Sequence, residues 1–291
     1  MPIKKEASLI LYSLEKALLS AGIISAKSDA RCLLGLALGR DLPILPHESI
    51  VPISKASQDR LAAFIKRRIN GEPISRIRGW REFWSLRFAV TSATLDPRPD
   101  SETVIESAIK WALDRSARNE ALRCLDLGTG SGCLLLSLLT ELPKATGVGV
   151  DLCPGAVATA KANAANLGLG HRAIFFEHSF TDDLRHFGDF DIILANPPYI
   201  PTKDIADLAI DVRAFEPRLA LDGGHDGMNC WHGLLPRLAE SLKVEGVAFV
   251  EIGKGQEASV GSVAEQENLR LIDSHCDLAG VKRCLQFEIK F

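Results

Sequence analysis

An α/β fold with a mostly parallel sheet is predicted for the C-terminal two-thirds of the chain, behind a small N-terminal helical domain and a β-hairpin connector. Three observations predict it. From Leu122 onward, apolar strand-like runs alternate with helical stretches, the pattern of right-handed βαβ units whose sheet is covered on both faces. Between Glu72 and Pro99 the texture is instead aromatic and strand-like. Ahead of that, from Ala7 to about Asn70, the apolar periodicity is helical.

In the helical part, Leu11, Leu14, Leu18 and Leu19 recur at helical spacing, and Ser28-Asp29 precede a second run, Cys32 to Leu38. A third run, Leu61 to Ile69, carries Lys66-Arg67-Arg68 and stops at Asn70-Gly71, where glycine follows a basic last turn as at many helix ends. The basic cluster reads as a solvated helix face whose charge suits the helix dipole. Trp80, Phe83, Trp84, Phe88 and Val90 suggest a hairpin, with Gly79 as punctuation. Pro97-Arg98-Pro99-Asp100-Ser101-Glu102 reads as a rigid loop ending at a helix start, with Asp100 or Ser101 as its cap.

Further on, the strands expected are 122–127, 147–151, 173–177, 191–195 and 247–252, with helical runs at 133–140 and 156–167 between them. The tail, 269–273 and 283–290, adds two more strands. The domains expected are thus 1–71 (helical), 72–98 (hairpin connector) and 99–291 (sheet).

Composition narrows the classes. With 46% apolar and 24% charged residues over 291 positions, the composition is ordinary for a soluble globular enzyme, and the length suits one large domain, or a standard domain plus a smaller one. No apolar run approaches a bilayer span. The first one, Leu9 to Tyr12, is soon broken by Glu15 and Lys16, so no secretory signal is expected. Seven scattered cysteines, without a C-x-x-C pair or zinc-like spacing, point to no metal site and to a reducing cytoplasm. A net charge of −3 leans against nucleic acid as principal ligand, because phosphate binding wants a basic field. No direct nucleic-acid or membrane partner is expected, and a monomer is.

The first strand runs into Asp126-Leu127-Gly128-Thr129-Gly130-Ser131-Gly132 and then a helix. Small residues there let a ligand approach backbone, and the helix N-terminus offers free N–H groups. The spacing is G-x-G-x-G, without the third glycine of the dinucleotide fingerprint. Asp126 at the strand end suits a cationic sulfonium and amino group better than a pyrophosphate. S-adenosylmethionine therefore fits better than a nicotinamide dinucleotide. Asp151, at the tip of the second strand, can accept ribose hydroxyls or cap the next helix, or do both. Phe180, after the third strand, is either an adenine contact or a core aromatic.

The fourth strand ends in Asn196-Pro197-Pro198-Tyr199, which proline confines to a loop at the carboxyl edge of the sheet, where ligands of such sheets bind. The Asn196 side-chain carbonyl and the Pro197 carbonyl can accept hydrogen bonds from a planar –NH₂ group. Prolines stiffen that geometry, and Tyr199 can stack on the flat group. Methyl transfer to such a nitrogen needs positioning above all, and no strong base before attack.

In these motifs the chain resembles the peptide-chain release factor glutamine methyltransferases, the PrmC/HemK group, over essentially its whole length. The resemblance rests on Gly71-Glu72-Pro73, Glu82-Phe83-Trp84, Pro97 to Glu102, Asp126 to Gly132, Asp151, Asn196 to Ile200, and Phe215-Glu216-Pro217. It implies a Rossmann-like class I methyltransferase with a seven-stranded sheet, acting in the cytoplasm on the glutamine of the Gly-Gly-Gln loop of class 1 peptide chain release factors. The products implied are N5-methylglutamine and S-adenosyl-L-homocysteine. Gly128, Thr129, Gly130, Ser131, Gly132, Asp151, Phe180 and Asn196 carry over as S-adenosyl-L-methionine contacts. Asn196, Pro197, Pro198 and Tyr199 carry over as contacts of the glutamine amide, with Asn196, Pro197 and Tyr199 the catalytic set. The helical domain would help dock the release factor. Four positions depart from the family pattern: Phe180 stands for a common Trp, Asp100-Ser101 for Glu-Thr, Asp96 for an apolar residue, and Arg76-Ile77-Arg78 for an apolar stretch.

Two other classes compete. A nucleic-acid N-methyltransferase would use the same loop on an extruded base, against the acidic balance. A silent scaffold would need neither the glycine loop nor the asparagine loop. A nicotinamide oxidoreductase is a third, weaker reading.

Overall fold

The computed structural model describes residues 3–45, 48, 53–115 and 120–290. It divides into two compact units, Met1–Gly79 with Ala209–Phe215, and Trp80–Leu208 with Glu216–Phe291.

The first unit holds four helices of the N-terminal part, α1 (Ile3–Ser20), α2 (Ala26–Ala37), α3 (Lys55–Ile69) and α4 (Ile74–Arg78). Leu14, Leu18, Leu33, Leu34, Leu61 and Ile77 meet in its core. Helix α3 begins at Lys55, ahead of the expected Leu61, because the Ser54 hydroxyl accepts the Ser57 N–H at 3.2 Å and caps it. Ser28-Asp29 lie inside α2 instead of preceding it. Asp29 is buried, accepts from Ser25 Oγ at 2.8 Å, and pairs with Arg68 Nε at 2.7 Å. Arg67 pairs with Glu72 at 2.6 Å. The expected solvated basic face is thereby corrected: of Lys66-Arg67-Arg68 only the lysine is fully exposed, and both arginines are engaged in ion pairs.

The second unit opens with the hairpin β1 (Trp80–Phe83) and β2 (Leu86–Ala89). Trp84 and Ser85 turn it with φ of +52° and +56°, the left-handed pair that matches strand twist in a two-residue hairpin. The main sheet contains β3 (Arg123–Leu127), β4 (Thr146–Asp151), β5 (Ala173–Glu177), β6 (Phe190–Ala195), β7 (Leu242–Glu251), β8 (Leu269–Cys276) and β9 (Lys282–Ile289). Its order is β5-β4-β3-β6-β7-β9-β8, with β9 antiparallel to both neighbours and the other pairs parallel.

Alternate side chains feed two cores. Cys124, Ile192 and Leu194 face a cluster with residues of α5 (Glu102–Asp114), α6 (Cys133–Glu141) and α7 (Pro154–Asn166). Leu125, Leu127, Ile193 and Ala195 face another with residues of α9 (Asn229–Ser241) and α10 (Glu257–Gln266). Each fully buried leucine or phenylalanine contributes about 2 kcal/mol. A short helix, α8 (Ile210–Arg213), falls in the segment that groups with the first unit. Among the described residues, no helix is long and apolar enough to cross a membrane.

Candidate active site

The chain starts its parallel sheet at β3 and extends it through β4 and β5, then returns to add β6 on the other side of β3. The reversal falls between β3 and β6, and the carboxyl edge at such a switch point is the usual ligand position on these sheets.

The loop after β3 carries Gly128, Gly130 and Gly132 at φ of +76°, +56° and +79°, a region side chains disfavour. The Gly128 and Thr129 N–H groups both donate to the Val150 carbonyl at 2.9 Å, pinning the loop to β4. Space is also restricted: a Cβ on Gly132 would lie 3.1 Å from Leu136 and 3.3 Å from Ala160. Ser131 is buried, and its carbonyl accepts from Asn163 Nδ2 at 2.8 Å. Asn163 also exchanges two hydrogen bonds with the backbone of Ala89, so one buried amide joins hairpin, α7 and glycine loop.

Asp126 is buried beneath this loop and accepts from Thr129 Oγ1 at 2.6 Å. Burial pushes its carboxyl up to about 7, against the opposing influence of the Thr129 hydroxyl and the Leu135 N–H. Asp151 ends β4. One oxygen accepts the Gly130 N–H at 2.8 Å and the other accepts the Cys153 N–H at 2.9 Å. Burial raises its pKa too, and these two backbone bonds oppose the rise. The N-cap position of α7 belongs to Cys153, so Asp151 braces the two loops and does not itself cap the helix. Phe180 packs on the α9/α10 side of the sheet and flanks the glycine loop, 3.6 Å from where a Gly128 Cβ would be.

Asn196, Pro197, Pro198 and Tyr199 leave β6 in that order, with Pro197 buried and the others half-buried. The segment is anchored downstream. Ile200 N–H donates to Leu221 O at 3.0 Å, Gly223 N–H donates to Ile200 O at 2.8 Å, and Gln256 Nε2 donates to Tyr199 O at 3.1 Å. Asn196 Nδ2 donates to Glu251 Oε2 at 2.8 Å and to Ser101 Oγ at 3.2 Å. Tyr199 OH donates to Glu251 Oε1 at 3.0 Å. With both Nδ2 hydrogens engaged, Oδ1 is the hydrogen-bonding atom the asparagine amide has left to offer, and it is an acceptor.

Glu251 was not among the residues expected from sequence. It is the last residue of β7, and the pairing of Ala195 with Val250 sets it beside Asn196. A carboxylate closing an apolar strand at the carboxyl edge was the available signal. The residue is buried, which raises its pKa, while hydrogen bonds from Ser101 and Tyr199 and the charge of Arg283 act against the rise. Burial and the neighbouring Glu251 carboxylate also raise the Tyr199 phenol. Arg283 pairs with Asp100 and Asp277, each at 3.2 Å. The caps expected at Asp100 or Ser101 are therefore replaced: Asp100 holds Arg283, and Ser101, which makes no capping bond to α5, turns its hydroxyl to Asn196.

Residues 10–79 match the PrmC N-terminal domain and residues 101–214 the methyltransferase small domain. A release factor glutamine methyltransferase from Bradyrhizobium diazoefficiens is 44% identical over 268 residues, covering 91% of this chain and 89% of that one. The protein of the same name from Rhodospirillum rubrum is 42% identical, covering 91% and 79%. The one from Agrobacterium fabrum is 36% identical, covering 95% of each. Sequence identity at that level over nearly the full length, on a sheet whose carboxyl edge carries the glycine loop and the Asn-Pro-Pro-Tyr segment, places this chain in the release factor glutamine methyltransferase family.

Proposed function

We propose that this protein transfers a methyl group from S-adenosyl-L-methionine to the side-chain amide nitrogen of the glutamine in the Gly-Gly-Gln motif of class 1 peptide chain release factors. The products are N5-methylglutamine and S-adenosyl-L-homocysteine. One observation carries the reading most: the Asn196 amide has its donor side engaged by Glu251 and Ser101, leaving an acceptor for a planar –NH₂ group. The names of its relatives point to the same substrate.

The residues fit the cofactor. Gly128, Thr129, Gly130, Ser131 and Gly132 form a narrow backbone cradle at the N-terminus of α6, with left-handed glycines and tight space for a side chain at Gly132. Asp151 supplies a carboxylate at the tip of β4 for hydroxyl groups, and Phe180 flanks the loop with an aromatic face. Asp126 adds a buried carboxyl suited to a cationic ligand. When bound, S-adenosyl-L-methionine supplies an electrophilic methyl on a sulfonium.

The chain's own contribution is positioning. Asn196 Oδ1 and the Pro197 carbonyl hold the two hydrogens of the glutamine amide, which orients its nitrogen. Pro198 stiffens the loop, and Tyr199 borders the amide. As nitrogen gains positive charge, the same two acceptors strengthen their hold on its hydrogens. The cationic nitrogen then gives its proton to water, which leaves neutral N5-methylglutamine. The N-terminal helical domain docks the release factor, and the enzyme works as a cytoplasmic monomer without a nucleic-acid partner.

The experiment is tandem mass spectrometry of purified release factor after incubation with enzyme and S-adenosyl-L-methionine. One added methyl mapped to the motif glutamine is expected. Methylation at a different residue would overturn the substrate assignment.

A further inference from the structure

We propose that Glu251 is a positioning residue for methyl transfer: by accepting the Asn196 Nδ2–H and the Tyr199 O–H together, its carboxylate fixes the orientation in which Asn196 Oδ1 faces the substrate nitrogen. The inference rests on the function proposed above and assigns a role to a residue outside the Asn-Pro-Pro-Tyr loop.

An asparagine amide presents either its carbonyl or its –NH₂ to a ligand after a half-turn of the side chain. Glu251 Oε2 lies 2.8 Å from Nδ2. The flipped amide would set a carbonyl oxygen against a carboxylate in a buried site, two acceptors with no proton between them. It would also turn two N–H donors toward an amide nitrogen that must itself be held as a donor. The carboxylate therefore selects the productive orientation before substrate arrives, which is preorganisation.

The choice of a carboxylate matters. Donors from Asn196 and Tyr199 reach its two oxygens at 2.8 Å and 3.0 Å, and the Ser101 hydroxyl adds a third hydrogen bond. A glutamine there would put an –NH₂ donor in place of one of the two oxygens that Asn196 and Tyr199 reach. For stability alone, a charge at this depth is a poor choice, since an uncharged residue of similar volume avoids the desolvation cost. Among the described residues Arg283 forms no ion pair with Glu251, being engaged with Asp100 and Asp277. Negative charge behind the Asn196 amide also polarises its carbonyl, strengthening Oδ1 as positive charge develops on the attacking nitrogen.

The test compares Glu251→Gln and Glu251→Asp with wild type, using full-length enzyme, S-adenosyl-L-methionine and purified release factor. For Glu251→Gln, kcat should fall roughly 100-fold. The dissociation constant for S-adenosyl-L-methionine should stay within about twofold and the melting temperature should not drop. Glu251→Asp keeps the charge and should recover part of kcat. A fall in cofactor affinity and melting temperature matching the loss of kcat would mean a merely structural role and overturn the inference. So would an unchanged kcat beside an active wild type, which leaves the proposed function standing. A wild type that leaves release factor unmethylated fails the function itself.

A measurement on wild type needs no folded variant. The Asn196 side-chain –NH₂ resonances should be shifted downfield by the carboxylate and should move as acid protonates Glu251. The other titratable groups acting on Glu251 or on its partners are Tyr199, Arg283, Asp100, Cys133 and Cys284. Resonances at ordinary amide positions that ignore pH would overturn the inference.

Discussion

Glu216 accepts a hydrogen bond from Arg98, Nη2 to Oε1, at 2.8 Å across 118 residues of chain, and its other oxygen accepts the Asp96 N–H at 3.0 Å. The Glu216 side chain is fully buried and that of Arg98 is one-third exposed. The contact joins two sequence elements that carried the family resemblance, Pro97 to Glu102 and Phe215-Glu216-Pro217. Three residues after Arg98 stands Ser101, whose hydroxyl meets Asn196. The buried Asp96 lies 3.9 Å from Arg81.

Arg98→Ala should therefore destabilise the fold. It removes the Arg98 guanidinium from a buried carboxylate, and with the arginine partly solvated the loss should be about 2 kcal/mol, below the value for a fully buried pair. A thermal melt should show a drop of roughly 4–8 °C. An unchanged melting temperature would mean that the pair does not hold the loop.

Asn196→Ala removes the acceptor aimed at the substrate nitrogen. Turnover should fall roughly 100-fold or more, as when one positioned polar contact is removed from a reacting centre. Asn196 is also an expected cofactor contact, but the glycine loop and Asp151 are untouched, so cofactor affinity should fall far less than turnover. Steady-state kinetics beside cofactor titration separates the two effects, and retained turnover would remove Asn196 from the reaction.

Asp151→Ala should act in the opposite way. Losing a charged acceptor costs about 2 kcal/mol, which is roughly a 30-fold weaker dissociation constant for S-adenosyl-L-methionine. At saturating cofactor, most of kcat should return. Calorimetric titration reads the affinity directly, and an unaltered constant would exclude Asp151 as a ligand.

Asp126 gives a pH dependence. Its folded pKa is about 7 against an ordinary 3.8, raised chiefly by burial. The unfolded chain loses this proton first as pH rises, so the stability contributed by neutral Asp126 is complete below the unfolded value. It is lost progressively as pH rises toward and through the folded one. The ligand-free protein should melt lower at about pH 7.5 than at about pH 5, and Asp126→Asn should flatten that slope. A variant with the wild-type slope would assign the effect to another group.

Much of the fold was legible because buried parallel strands are short apolar runs. Ile192 to Ala195 and the strand ending at Leu127 lie where that pattern places them. Helix α9 was not anticipated: Pro236 interrupts it, and proline inside a helix argues locally against one. Burial of Trp231, Leu234, Leu235 and Leu238 along one face overrides that preference. Strand β7 begins at Leu242, earlier than the apolar run from Val247, because the preceding Lys243-Val244-Glu245 is too polar to announce a strand.

The same division holds at the site. Gly128 to Gly132, Asp151 and Asn196 to Tyr199 are consecutive or singular signals, each at the end of a strand. Glu251, Ser101 and Asn163 become relevant only through register and packing between distant segments. Ser101 read as a cap because its position before α5 is a capping position, yet its hydroxyl is turned elsewhere.

The most direct test of the central claim is transfer of labelled methyl from S-adenosyl-L-methionine to purified release factor, wild type beside a Gly-Gly-Ala variant. Label on the wild-type factor alone is the result predicted. Equal label on both, or label on neither while the enzyme still binds cofactor, would contradict it.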